Sequence, residues 1–194
     1  ENFNTFSLSW YNNTDVDPAT GLTPYINMQK VLKVCHDFVD NFDNTFSNLL
    51  FIGQTGVGKT FLSNCIARAL MDSCHSIIYL TAGEFFDSFK SDDFKEFGSS
   101  KFDTSFFVEC DLLIIDDLGT EKASDYNFSN LFNTINERLL RRKSIIISSN
   151  LEMPDIETRY SQRIFSRLVS AYSILRLFGD DIRCMKKLSP TKRS

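Results

Sequence analysis

Gly53-Gln54-Thr55-Gly56-Val57-Gly58-Lys59-Thr60 follows the pattern G-x-x-x-x-G-K-[ST], a spacing suited to holding a chain of phosphates. Glycines let the backbone turn tightly and offer bare N–H groups to phosphate oxygens, and a helix that follows aims its positive end at the same point. Lys59 would then reach the β- and γ-phosphates of ATP, and the Thr60 hydroxyl would hold Mg²⁺. The pattern arises by chance in roughly one chain of this length in a hundred. A second set of residues lies downstream. Asp116 and Asp117 end the apolar run Leu112 to Ile115. Alone they read equally as a solvated strand end. After a phosphate loop, Asp116 reads as the carboxylate that holds magnesium, and Asp117 as the group that orients or deprotonates the attacking water. Ser148-Ser149-Asn150 ends the apolar run Ile145 to Ile147. By itself Asn150 is a turn residue or a helix cap, but its place in this order makes it a candidate to hold the water or touch the γ-phosphate.

These residues need a frame. Short apolar runs at Leu49 to Ile52, Ile77 to Leu80, Leu112 to Ile115, Ile145 to Ile147 and Ile174 to Phe178 read as buried strands. The stretches between them hold helices. Residues 26–42 carry Val31, Leu32, Val34, Cys35, Phe38, Val39 and Phe42 at helical spacing, and Thr60 to Met71 carries Phe61, Leu62, Cys65, Ile66, Ala69 and Leu70. Asn127 to Arg142 and Ser161 to Ser170 complete the set. Strands and helices in alternation, with continuous apolar strands, predict a parallel sheet covered on both faces. Asn12 to Pro24 and the basic tail 188–194 read as loose.

At 194 residues the chain is one domain, and 42% hydrophobic with 24% charged residues excludes a disordered or collagen-like chain. No apolar run approaches the ~20 residues of a membrane helix. The five scattered cysteines include no C-x-x-C pair, which points to reduced thiols in a cytosolic protein rather than a zinc or redox motif. The chain opens with Glu1 and not Met, so an N-terminal part is expected to be missing.

Leu49 to Thr60, Leu112 to Glu121, Ser148-Ser149-Asn150, the Arg163/Arg167 stretch Tyr160 to Leu168, and Gly179 to Arg183 together resemble the AAA+ ATPase domain of bacterial DnaC/DnaI-type helicase loaders. The related IstB-type transposition helpers look similar. The resemblance implies an α/β P-loop NTPase of AAA+ type, with a five-stranded parallel sheet in the order 5-1-4-3-2. It implies ATP/ADP and Mg²⁺ as ligands, Gly53 to Phe61 as the nucleotide-binding loop, Asn150 as sensor 1, and Arg183 as a sensor 2 residue acting in cis. Arg167 matches an arginine finger that would serve a neighbouring subunit, with Arg163 one turn earlier. The implied partners are a DnaB-type replicative helicase, single-stranded DNA and further copies of the chain in the bacterial cytoplasm, with no membrane. Residues 1–24 would be an N-terminal extension of this single domain, and the helicase-gripping domain of such loaders would precede it. Phe3, Phe6 and Tyr11 either line the adenine pocket or pack in the core.

The segment Ala82 to Phe107 interleaves Phe with Lys90, Lys95 and Lys101, which would suit single-stranded DNA. Asp87, Asp92, Asp93 and Glu96 lie among them, the formal charge of the chain is −4, and the Phe spacing fits the buried face of a helix, so the core reading is preferred to DNA stacking. Two other functions compete with helicase loading. One is an IstB-like helper that engages duplex DNA and a transposase. The other is a nucleotide-gated module with negligible hydrolysis, because Asp117 is one methylene shorter than the Glu many AAA+ proteins carry.

Overall fold

A computed structural model of the chain describes residues 1–90 and 104–188. The strands are β1 (Leu49–Ile52), β2 (Ile77–Thr81), β3 (Leu112–Leu118), β4 (Ser144–Ser149) and β5 (Ser173–Arg176). All pairings are parallel, in the order β2-β3-β4-β1-β5, which is the predicted 5-1-4-3-2 read from the other edge.

Strand side chains alternate between faces, so an apolar run serves two cores at once. Leu50, Ile52, Leu113, Ile115, Ile145 and Ile147 face a layer made by α3 (Ala82–Lys90), α4 (Phe106–Glu109), α5 (Asp125–Leu140), α6 (Met153–Arg159) and α7 (Gln162–Ala171). Leu49, Phe51, Leu112, Ile114 and Ile146 face α1 (Pro24–Asp40) and α2 (Lys59–Asp72). A short α8 (Ile182–Leu188) follows β5.

Local chemistry sets the helix ends. The Thr23 hydroxyl accepts the Ile26 N–H at 3.2 Å and Pro24 pre-sets the first turn, so α1 begins two residues before the periodic pattern does. Ser161 caps α7, whose Ile164 and Leu168 are buried while Arg163 and Arg167 lie on its exposed side. The segment read as loose is tied down: Asp17 accepts from the Thr20 N–H at 2.9 Å and the Thr20 hydroxyl at 2.8 Å. Before it, two 3-10 turns at Phe3–Thr5 and Leu8–Trp10 pack Phe3, Phe6, Leu8 and Trp10 against the α1/α2 core.

In the Phe-rich segment, Phe85, Phe86 and Phe107 are fully buried, as the core reading expects. Lys90 is exposed and paired with Asp87 at 2.7 Å. Lys95 and Lys101 lie outside the described residues, as do residues 189–194 of the tail. Among the described residues no helix is long and apolar enough to cross a membrane.

Candidate nucleotide-binding site

The carboxyl ends of β1, β3 and β4 are neighbours in the sheet, and the loops leaving them converge on one side. A cavity of about 400 Å³ opens there. Its walls include Thr55, Gly56, Gly58, Lys59, Thr60 and Phe61 from the phosphate loop, Asp117 and Asn150 from the strand ends, and Arg183 from α8. Gly58 has φ +106°, and a Cβ there would stand 2.6 Å from the Tyr11 hydroxyl, so both backbone conformation and space demand glycine. Gly56, at φ +84°, lies under the Asp181 carboxylate, and its carbonyl accepts the Ile182 N–H at 3.1 Å. The start of α8 is therefore docked on the phosphate loop, which carries Arg183 to the cavity.

Lys59 is 5% exposed, and its ammonium donates to Gly53 O at 2.6 Å, Gln54 O at 2.8 Å and Asn150 Oδ1 at 2.6 Å. Burial pulls its pKa below the ordinary lysine value, opposed by the charges of Asp117 and Asp116 and reinforced by Arg183. The Asn150 amide nitrogen is 3.5 Å from Asp117 Oδ1, so one amide spans the lysine and the second acid.

Adjacent residues on a regular strand point to opposite faces, which would separate Asp116 from Asp117. A register shift between Ile115 and Leu118 removes that separation. Asp117 takes a left-handed conformation, φ +57°, secured where its N–H donates to Ser148 Oγ at 3.0 Å and its carbonyl accepts the Thr120 hydroxyl at 2.9 Å. Such a conformation costs a non-glycine residue about 1 kcal/mol or more. The result is two carboxylates with different settings. Asp116 is 4% exposed and accepts from the hydroxyls of Thr60, Tyr79 and Ser148, while Asp117 lines the open cavity.

The donor set fits Mg²⁺ with a nucleotide. Thr60 Oγ1 and Asp116 Oδ2 are 2.9 Å apart, a hard hydroxyl and carboxylate pair at the mouth of the loop. Among the described residues no group of three or more His, Cys, Asp or Glu could hold a metal alone, so phosphates and water would complete the shell.

Several expected residues stand apart. Val57 is 1% exposed with its side chain in the α1/α2 core, which leaves only its backbone for phosphate, and Gln54 points to solvent. Arg163 and Arg167 are exposed and do not line the cavity of their own chain; Arg167 donates to Asn136 Oδ1 at 3.2 Å. Phe6 and Tyr11 line the cavity, whereas the Phe3 ring lies tilted against His36, with ring centroids 4.3 Å apart. Sequence reasoning missed Trp10 and Lys186, the latter lying 5.7 Å from the Trp10 ring and 5.9 Å from the Phe61 ring. Neither falls in a motif.

Glu121 ties this site to the end of α6. Its side chain, 3% exposed, accepts the Gly119 N–H at 2.8 Å and the Tyr160 hydroxyl at 2.6 Å, with Arg159 Nε at 3.5 Å. Glu121→Gln would leave Arg159 without its countercharge. A loss of about 2 kcal/mol is expected, read as a lower urea midpoint with unchanged slope.

A parallel β2-β3-β4-β1-β5 sheet with a phosphate loop after β1 and paired acids near the carboxyl end of β3 defines a P-loop NTPase of AAA+ type. The chain belongs to the IstB-like ATP binding protein family, whose model matches residues 26–189. It is 23% identical over 151 residues to the replicative helicase loader DnaC of Escherichia coli K12, covering 77% of this chain and 61% of that protein. The chain thus spans about three-fifths of the length of the DnaC relatives it matches. A crystal structure of the DnaC helicase loader superposes with a TM-score of 0.70 at 21% identity, over 89% of this chain and 96% of that one. AMPPCP-bound DnaA from Aquifex aeolicus gives 0.71 at 19% identity, over 87% and 54%. These likenesses show the fold, and they bear out the resemblance to a DnaC-type AAA+ domain.

Proposed function

We propose that the chain binds ATP with Mg²⁺ in this cavity and hydrolyses it as a switch for loading a hexameric replicative helicase onto single-stranded DNA. One observation carries the reading: Lys59, Thr60, Asp117, Asn150 and Arg183, drawn from four separate stretches of sequence, line a single cavity, with Asp116 hydrogen-bonded to Thr60. The ammonium of Lys59 would exchange its loop carbonyls for the β- and γ-phosphates. Asp117, with Asn150 beside it, would orient the attacking water, and Arg183 would contact the phosphates from α8. Thr60 and Asp116 would hold magnesium, which when bound would supply charge neutralisation for the phosphates. Arg167, with Arg163, would complete the site of a neighbouring copy. The name of the replicative helicase loader relatives supports the helicase as partner, and a neighbour described as DnaA bound to AMPPCP and single-stranded DNA supports nucleotide and DNA.

The test is binding of a fluorescent ATP analogue with magnesium. Lys59→Ala removes the cation and is expected to weaken binding about 50-fold, from the ~2.3 kcal/mol typical of a charge-assisted contact. Equal binding by wild type and variant would end the reading. A second reading has its own support in the family description, IstB-like ATP binding protein. It makes the chain a transposition helper, and capture of a transposase in place of the replicative helicase would select it. Single-turnover hydrolysis with DNA and helicase present separates either switch from a nucleotide-gated module, in which turnover would stay flat.

A further inference from the structure

Three hydroxyl groups hold the Asp116 carboxylate, and one comes from a strand with no nucleotide motif. Ser148 Oγ donates to Oδ1, Thr60 Oγ1 donates to Oδ2 at 2.9 Å, and Tyr79 Oη donates to the same Oδ2 at 3.0 Å. Tyr79 lies on β2 opposite Ile114. Ile114 and Asp116 are two residues apart on β3, so their side chains share the face that packs on α2. From an edge strand, the phenol crosses β3 diagonally and meets the carboxylate two residues beyond its own partner, a reach suited to a long aromatic side chain. The phenol is a neutral O–H donor, so it holds the carboxylate oxygen without adding charge to the site.

Thr60 has another task in this arrangement. A hydroxyl can donate its proton to a carboxylate and offer a lone pair to a cation at the same time, but its orientation is then shared between the two. Tyr79 and Ser148 donate to the carboxylate without also serving the cation, although Ser148 Oγ accepts the Asp117 N–H as well. They hold one oxygen each and set the plane of the carboxylate.

We propose that Tyr79 is a positioning residue for the magnesium site, its hydroxyl fixing Asp116 in the orientation that a phosphate-bound Mg²⁺ requires. This deepens the ATP-binding reading and rests on it. Outer partners of metal ligands typically govern 10- to 100-fold in metal affinity.

Tyr79→Phe deletes the hydroxyl and keeps the ring against α2. The experiment titrates Mg²⁺ into the full chain with a fluorescent ATP analogue, and repeats nucleotide binding in EDTA. The magnesium concentration at half-effect is expected to rise about 10-fold, while affinity in EDTA stays within twofold of wild type. Ser148→Ala, which removes the donor to the other oxygen, is expected to shift the magnesium dependence in the same direction. An unchanged magnesium requirement in Tyr79→Phe overturns the proposal. So does an equal loss with and without the metal, which would mark the residue as purely structural. Lys59→Ala run alongside keeps the two claims separate: if it binds nucleotide as wild type does, the ATP-binding reading fails; if it binds weakly and Tyr79→Phe shows no magnesium shift, only the role of Tyr79 fails.

Discussion

Arg167→Ala is expected to slow partner-stimulated ATP turnover about 1000-fold while leaving the affinity of the isolated chain for nucleotide within twofold. The split follows from placement. Ile164 and Leu168 bury one side of α7, which turns Arg163 and Arg167 outward, away from the cavity that Lys59 and Arg183 line. As the proposed arginine finger, Arg167 would act on the site of another copy, so its loss should spare binding and strike only an assembled state. A guanidinium supplied in trans to a transferring phosphoryl group is worth 10³ to 10⁵ in rate. Arg167→Lys keeps the charge without the planar fork and should recover only part of the rate. Arg163→Ala is expected to cost less. Single-turnover hydrolysis with single-stranded DNA and helicase, set beside equilibrium nucleotide binding, measures both halves. Equal turnover in wild type and Arg167→Ala would remove the arginine finger from the mechanism, and weaker binding by the isolated chain would place Arg167 in cis.

Strands β1, β3 and β4 were the most legible part of the fold because they are buried on both sides, whereas β2 and β5 are only partly covered. Every position from Leu112 to Ile115 had to be apolar, and the run stands out without any count of periodicity. Strand order was legible only through the likeness to a known family, since apolar runs carry no record of which neighbour they choose. Helix limits slipped where capping competed with periodicity: α1 starts at Pro24 under Thr23, ahead of the first periodic residue.

Within the site, contiguous residues were readable and convergent ones were not. Gly53 to Thr60 is one local structure, so its spacing is its geometry. Tyr79 reaches Asp116 through a register between two strands, and Tyr11 donates to Val57 O at 3.1 Å across 46 residues. No spacing rule joins such pairs. The left-handed conformation of Asp117 is hidden for a related reason: the sequence reads as an unbroken strand, and only the pairing of β3 with β4 exposes the shift that turns both acids to one edge.

Arg138→Met is expected to destabilise the fold by about 4 kcal/mol, the largest stability loss foreseen for a single substitution here. Arg138 is fully buried on α5, in a chain position that reads as ordinary helix surface. Its Nη1 donates to Phe107 O at 2.7 Å, Cys110 O at 3.0 Å and Cys110 Sγ at 3.2 Å; its Nη2 donates to Asp111 O at 3.1 Å and Ser144 O at 2.6 Å. These acceptors belong to the end of α4 and to the amino ends of β3 and β4, where the sheet ladder has not yet begun to pair carbonyls. Burial draws the guanidinium pKa down, yet the converging carbonyl dipoles replace the water it has lost. Methionine fills similar volume and satisfies none of the acceptors, at about 1 kcal/mol or more for each carbonyl left unpaired. For a chain of this size 1 kcal/mol shifts Tm by roughly 2–4 °C, so a fall of about 8–16 °C is expected in a thermal melt. Arg138→Lys can serve three of the acceptors at most and should fall between. A melt within 2 °C of wild type for Arg138→Met would mean that the carbonyls find other donors, and that the buried guanidinium is dispensable to the strand that carries Asp116 and Asp117.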